Sequence, residues 1–265
     1  MQLLVLDFDG VISDSASESF MVALATYTSM RPDSTLCSSA ENLMRAGLAG
    51  GLLARLQRDV LYRDFLELMP LGNRAEDFAV LLGILEERKK VEDQADYDRE
   101  RAKHDPLFLE EFHERFYLQR ASFSEADPVA WQRLLAPYPE FTRLLRARAG
   151  SVEFALATAK DRRSVTALLE AYEIADLFPS ELVLDKETGA NKCAHLEALS
   201  ERTRLTFAEV TFVDDKVNHL DSVASLGVRC VLAAWGYNGE RERKLARERG
   251  YLVCELADAE ARIFG

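Results

Sequence analysis

Residues 2–7 (QLLVLD) form a continuous apolar run that ends in an acid. The run lacks in-out alternation, the pattern of a strand covered on both faces, and Asp9-Gly10 marks a turn after it. Similar runs return late in the chain at 152–157 (VEFALA), 181–184 (ELVL), 210–213 (VTFV) and 228–233 (VRCVLA). A sixth, 251–255 (YLVCE), is placed to add an edge strand. Between these runs the apolar spacing changes to three and four residues, which predicts helices over 161–173, 192–202, 217–226 and 239–248. Strand alternating with helix marks an α/β domain with a doubly wound, Rossmann-like parallel sheet.

Residues 16–140 carry a different pattern, helical spacing with almost no strand signal. Helices are expected over 16–29, 40–57, 75–89, 91–104 and 107–120. Ser15 and Glu18 have the spacing of a capping box at the start of the first. Pro70 to Asn73 and Asp105-Pro106 punctuate the set, and the prolines of Ala136-Pro137-Tyr138-Pro139 close it. The expected organisation is therefore a discontinuous α/β core, 1–15 and 141–265, interrupted by an all-α domain over 16–140. The dense charge of 86–105 reads as a solvated helix face.

Bulk composition narrows the function. The chain has 265 residues, 48% of them hydrophobic and 29% charged, which is ordinary for a folded protein with a full-sized core. A net charge of −12 argues against nucleic acid and anionic membranes as partners. Cys37, Cys193, Cys230 and Cys254 are scattered without a C-x-x-C pair and read as reduced core thiols. No apolar run is long enough for a membrane span, and the first residues read as a strand and not a targeting segment, so a cytoplasmic location is expected.

In open parallel sheets, ligands bind beyond the carboxyl ends of the strands. Here those ends supply Asp7 and Asp9, then Thr158 and Lys160, then Lys186 and Lys192, then Asp214 and Asp215. Four carboxylates at one end of a sheet repel one another, and a hard cation removes the conflict. An oxygen-only donor set favours Mg²⁺, which usually keeps waters and a substrate phosphate oxygen. Lys192 follows Asn191 at a predicted helix start, where an anion offsets the unfavourable placing of a cation.

These residues resemble the four motifs of the haloacid dehalogenase superfamily. Asp7-Phe8-Asp9-Gly10-Val11, with Ile12, Asp14 and Ser15, is similar to the first motif, D-x-D-G-[TV]-[LI]-x-D-S. Thr158 resembles the second motif, Lys192 the third, and Val213-Asp214-Asp215 the paired-acid form of the fourth. The likeness covers the α/β part, about half the chain, and the long insertion resembles the helical cap of phosphoglycolate-phosphatase-like members.

The resemblance implies a Mg²⁺-dependent phosphatase acting on a small phosphorylated metabolite. Asp7 would be the nucleophile and Asp9 the acid and then base. Thr158 and Lys192 would complete the catalytic set, with Phe8, Gly10, Ala159 and Lys160 lining the phosphate. The metal would fall to Asp7, the Asp9 carbonyl and one of Asp214 and Asp215, with Asp215 favoured. The cap would close over the site and contact the rest of the substrate. Two departures stand out. His219 occupies the position where an Asn usually follows the second acid, and it reads as a surface or helix-capping residue rather than a ligand. Without the usual K-P-x-P form, Lys186 remains a minor rival to Lys192. Arg45, Arg55 and Lys160 are candidate anion contacts. A phosphomutase of the same fold and a non-catalytic binding protein stay open as alternatives, as does the oligomeric state.

Overall fold

Leu3, Leu4, Val5 and Leu6 have no exposed surface, as a mid-sheet strand requires. They are β1 (Leu3–Leu6) in a computed structural model that describes residues 1–45, 51–72, 74–189 and 191–265. The other strands are β2 (Ser13–Asp14), β3 (Ala136–Pro137), β4 (Glu153–Ala157), β5 (Val183–Leu184), β6 (Val210–Asp214), β7 (Arg229–Ala233) and β8 (Leu252–Cys254). Six of them form one sheet in the order β5-β4-β1-β6-β7-β8, every neighbouring pair parallel. This is the expected α/β architecture, and β1 is central in it. Leu6 pairs with Leu156 on one side and Val213 on the other, so Asp7 emerges level with Ala157 and Asp214. The expected strand 181–184 is realised only at Val183–Leu184, because Leu182 donates to Pro179 O in a 3₁₀ turn.

Helices Arg162–Ala171, Lys192–Thr203, Val217–Ala224 and Glu240–Glu248 connect the strands, close to the predicted positions. Leu196, Leu199, Val217, Leu220, Val223 and Ala246 pack with Val5, Ala155, Phe212 and Leu232 in one apolar cluster. Fully burying a large aliphatic or aromatic side chain in such a cluster contributes about 1.5–3 kcal/mol.

The chain forms two compact units, one of Met1–Asp14 with Ala136–Gly265 and one of Ser15–Leu135. In the first, β2 and β3 pair antiparallel, so the chain leaves and re-enters this unit through adjacent strands. The helix Pro139–Ala147 also belongs to the first unit. Pro139 is at its first turn, where a missing N–H costs nothing, so this proline starts a helix as well as following a turn.

The second unit is helical throughout its described elements. Ala16–Met30, Ala75–Glu86 and Gln94–Arg101 lie where periodicity placed them, and Pro106–Ala126 runs six residues past its predicted end. Predicted helix 40–57 is found as Cys37–Arg45 and Leu52–Leu56; its middle, 46–50, and the turn residue Asn73 lie outside the described residues. Val60–Leu68 is an additional helix, capped by the Asp59 side chain on the Tyr62 amide at 3.1 Å. Phe20, Tyr62, Phe65, Phe78 and Phe116 make a chain of ring contacts 5.1–5.7 Å apart through its core. Tyr97 turns the inner face of Gln94–Arg101 toward the unit's interior, while Lys89 and Lys103 pair with Glu100 on the outside.

The expected Ser15–Glu18 capping box does not form. Ser15 is the N-cap residue but makes no side-chain capping bond. Glu18 is fully buried, and its carboxylate accepts from Arg120 at 2.7 and 2.8 Å and from Trp131 Nε1 at 3.3 Å. A buried two-pronged ion pair outcompetes a local cap worth about 1 kcal/mol.

The cysteines divide. Cys230 and Cys254 are buried, and burial pushes their thiols up to about 11 and about 12. Cys37 and Cys193 are half-exposed, contrary to a core reading, and all four are free. Among the described residues, no helix is long and apolar enough to cross a membrane.

Candidate active site

The strand ends of the first unit bring most of the singled-out polar residues together. Asp7 lies one step past the central strand and is buried. Its Oδ1 accepts from the Phe8 amide at 2.8 Å and from Lys192 Nζ at 2.7 Å. Lys192 comes from the first turn of its helix, whose cap is the Asn191 side chain on the Ala194 amide at 3.0 Å. Its ammonium also reaches Asp214 Oδ2 at 3.3 Å and Ala157 O at 2.5 Å. Three acceptors use the three protons of one ammonium, so Lys192 ties the ends of β4, β1 and β6 at one point. Lys186 is exposed on the loop after β5, away from this role.

Asp214 is fully buried. It accepts from the Lys216 amide at 2.9 Å, and His219 Nδ1 lies 3.1 Å from both of its oxygens. Burial alone would raise this carboxyl, but His219, Lys192 and the Lys216 amide outweigh it and hold it below the usual carboxylate range. Asp7 moves the other way, raised by burial and by the charge of Asp214 against the pull of Lys192. Lys192 is raised, because Asp7 and Asp214 overcome its desolvation.

Asp215 is the exceptional member. Its Oδ2 accepts from the Tyr237 amide at 2.8 Å, while its buried Oδ1 has no hydrogen-bond partner. Burial, then the charge of Asp214, pushes this carboxyl well above the usual range. Gly10 makes room for it: φ is +82°, and a Cβ there would fall 2.4 Å from Asp215 Oδ2. Gly236 is packed as tightly, since a Cβ would lie 2.3 Å from Gly10 O and 2.4 Å from Asp215 Cβ.

A second charged pair lies beside the first. Lys160 is buried, and its Nζ is 3.1 and 3.2 Å from the two oxygens of Asp9, whose side chain is one-third exposed. The Lys160 amide donates to Thr158 Oγ1 at 3.1 Å. Phe8 is fully buried, stacked with Tyr172 at 6.2 Å and facing the Lys160 ammonium at 5.9 Å. Ala159 is exposed between Thr158 and Lys160. Arg45 pairs with Glu41 one helical turn away, and Arg55 is exposed.

Several supporting residues were given no role by sequence reasoning. Trp235 donates to Val11 O at 3.0 Å, and Asn238 donates to Asp215 O and Ala233 O. The legible signal was a Gly between two aromatics directly after an apolar strand. The loop leading to Lys192 is held by Asp185, whose buried carboxylate accepts from the amides of Glu187 and Thr188, both at 3.0 Å, and pairs with Arg162. His195, one turn after Lys192, donates from Nε2 to Asp185 O at 3.0 Å, and Gly189 packs against its ring. Asx-type patterning at Asp185-Lys186-Glu187-Thr188 is the cue for that turn. His219 is not the surface or capping residue expected: it is paired with a buried acid.

The donor set fits a divalent cation. Two buried carboxylates, Asp7 and Asp214, share one ammonium, and a third, Asp215, has a buried oxygen with no hydrogen-bond partner. Such an atom calls for a charge partner. Asp7, Asp214 and His219 each present a ligand atom within 4.8 Å of the others.

The fold has many solved counterparts. A predicted phosphoglycolate phosphatase from Haemophilus somnus 129PT matches with a TM-score of 0.63 at 17% identity, over 100% of this chain and 98% of that one. A protein from Lactobacillus delbrueckii subsp. bulgaricus, provisionally named a phosphoglycolate phosphatase, gives 0.66 at 13% identity over 98% of each chain. One from Thermotoga maritima, provisionally named a β-phosphoglucomutase, gives 0.57 at 15% identity over 99% and 98%. At these identities the likeness concerns the fold. No curated protein matches the sequence. The family model described as haloacid dehalogenase-like hydrolase matches residues 1–227, a span that contains every one of the acids and lysines above. On that match, and with the fold in agreement, the chain belongs to the haloacid dehalogenase-like hydrolases.

Proposed function

We propose that the protein is a Mg²⁺-dependent phosphomonoesterase that works through an aspartyl-phosphate on Asp7. The observation that carries this reading is the state of Asp7 at the centre of the sheet. Both of its bonds, from Lys192 and from the Phe8 amide, engage Oδ1. Oδ2 is thereby left as the attacking atom on a carboxylate oriented by two bonds to its other oxygen.

Asp7, the Asp9 carbonyl and one of Asp214 and Asp215 would hold the cation, which would supply Lewis-acid neutralisation of the phosphoryl oxygens. Asp7 Oδ2 attacks phosphorus, the bond to the leaving oxygen breaks, and protonated Asp9 gives that oxygen its proton. Asp9, now a carboxylate, takes a proton from water. The hydroxyl attacks phosphorus, the Asp7–phosphorus bond breaks, and inorganic phosphate leaves. Each residue's bonds suit its part. Thr158 Oγ1 already accepts from the Lys160 amide, so its hydroxyl proton is directed elsewhere, toward a phosphoryl oxygen. Lys160 neutralises charge beside Asp9, and an anionic substrate competes with Asp9 for it. Lys192 has spent its three protons and acts by fixing Asp7 ionised, not by touching the phosphate.

The helical unit is proposed as the cap domain of the fold, and a small phosphorylated metabolite as the substrate. Acid quenching during turnover of a ³²P-labelled aryl phosphate tests the reading. Label should be recovered as an acid-stable, hydroxylamine-labile acyl phosphate on the peptide containing Asp7; label absent from that peptide contradicts it. A phosphomutase would use the same two acids, and release of free phosphate without an isomerised sugar phosphate separates the two.

A further inference from the structure

We propose that His219 gives this cation site a nitrogen donor, so that it binds borderline first-row divalent ions such as Co²⁺ more tightly than Mg²⁺. The inference rests on the cation site of the phosphatase reading and adds a ligand and an ion preference to it.

The geometry comes first. His219 stands in the first turn of the helix Val217–Ala224, and its Nδ1 faces the buried Asp214 carboxylate, 3.1 Å from each oxygen. In octahedral coordination with bonds of about 2.1 Å, adjacent ligand atoms are about 3.0 Å apart and opposite ones about 4.2 Å. The Nδ1 to Asp214 separation is therefore already that of two neighbouring ligands. The full Asp7, Asp214 and His219 set, within 4.8 Å, needs only a small contraction to enclose an ion. The imidazole is three-quarters buried, so it is held near that position without being sealed off.

A second, independent observation points to unmet charge beside this set. Asp215 Oδ1 is buried without a hydrogen-bond partner, and Asp215 lies within Coulombic reach of both Asp7 and Asp214. Lys192 contacts Asp7 and Asp214, and although the Lys216 charge also acts on Asp215, Asp215 Oδ1 keeps no hydrogen-bond partner; an imidazole that binds metal is neutral, so a cation would supply the charge this oxygen lacks.

The donor set then decides which cation. Carboxylate and carbonyl oxygens suit Mg²⁺, while an imidazole favours ions higher in the Mn²⁺ to Ni²⁺ series and adds little for Mg²⁺. An all-oxygen site relies on hard-ion chemistry; a site with one nitrogen discriminates by softness.

The test uses the full chain stripped of metal with a chelator. Pulsed electron paramagnetic resonance of bound Mn²⁺ reads directly whether a ¹⁴N nucleus is a ligand, and calorimetric titration compares Co²⁺ with Mg²⁺. In the wild type, a directly coordinated imidazole nitrogen is expected, and His219→Asn should abolish that coupling. Co²⁺ affinity should fall at least about tenfold in His219→Asn, and Mg²⁺ affinity less than about threefold. His219→Gln should behave likewise, and the wild-type spectrum alone decides if neither variant folds. If Mn²⁺ binds, is displaced by Mg²⁺ and shows no coordinated nitrogen, His219 is only a hydrogen-bond partner of Asp214. The inference is then overturned and the phosphatase reading stands. If neither ion binds, the cation site itself is contradicted and both fall.

Discussion

The strand ends of the α/β unit bury charge differently from the helical unit. Among the described residues of the helical unit each buried acid has a basic partner: Glu18 has Arg120, Asp77 has Arg101 at 2.8 Å, and Glu76 has Arg74 at 3.9 Å and the His113 ring at 2.8 Å. In the α/β unit Asp185 is likewise paired with Arg162, but at the strand ends Asp7 and Asp214 share one lysine and the neighbouring Asp215 has a buried oxygen with no hydrogen-bond partner. Matched pairs hold helices together. An unmatched cluster stores a demand for a ligand, and its residues cannot be explained by packing. The difference teaches where to look for chemistry in a chain rich in charge: at the imbalance, not at the density.

Breaking a matched pair should cost stability and leave the site's affinity alone. Arg120→Ala strands the buried Glu18 carboxylate and should destabilise the helical unit by about 3 kcal/mol, the low end of the range because Arg120 is partly exposed. Urea denaturation measures this, and calorimetry should find Mg²⁺ binding unchanged.

Disturbing the unmatched cluster should do the reverse. Gly236→Ala places a methyl 2.3 Å from Gly10 O, so the backbone beside Asp9 and Asp215 must shift. A displacement on the order of 1 Å in a reacting constellation costs about 10²-fold in rate. Steady-state kinetics should therefore show a drop in kcat far larger than any change in the denaturation midpoint.

The smallest effect concerns acid sensitivity in the support beneath Lys192. Burial, then the nearby Lys192 charge, lowers the pKa of His195 below its ordinary value. The folded state thus resists a proton that the unfolded chain accepts. The contribution is full above the unfolded value near 6.5 and is lost as pH falls from there toward the folded value. His195→Gln should flatten this part of the stability curve between pH 7 and 5, read from denaturation midpoints at each pH.

The sheet was legible because buried parallel strands are continuous apolar runs. The ring of acids and lysines was legible because parallel strands all deliver their ends to one edge. Other features were hidden by competition between local and distant partners. Glu18 has the spacing of a capping residue, but only the fold brings Arg120 to it from 102 residues away. Pro139 follows a turn and also starts a helix, so punctuation alone misplaced what came next. Val60–Leu68 carried its own signals, a capping Asp59 with Tyr62 and Phe65 three apart, and periodicity could have found it. The Trp235-Gly236-Tyr237 run was legible as a signal, but the close approach of Gly236 and of the Tyr237 amide to Asp215 was not, since only the fold brings them together.

The central claim is that the unmatched acids exist to hold a cation and aim Asp7 at phosphorus. It is tested most directly by hydrolysis of p-nitrophenyl phosphate by wild type and Asp7→Asn, each with Mg²⁺ and with EDTA, alongside circular dichroism. The account predicts activity only in the wild type with Mg²⁺, and a folded but inactive variant. A variant that hydrolyses at the wild-type rate, or a wild type indifferent to EDTA, would contradict it.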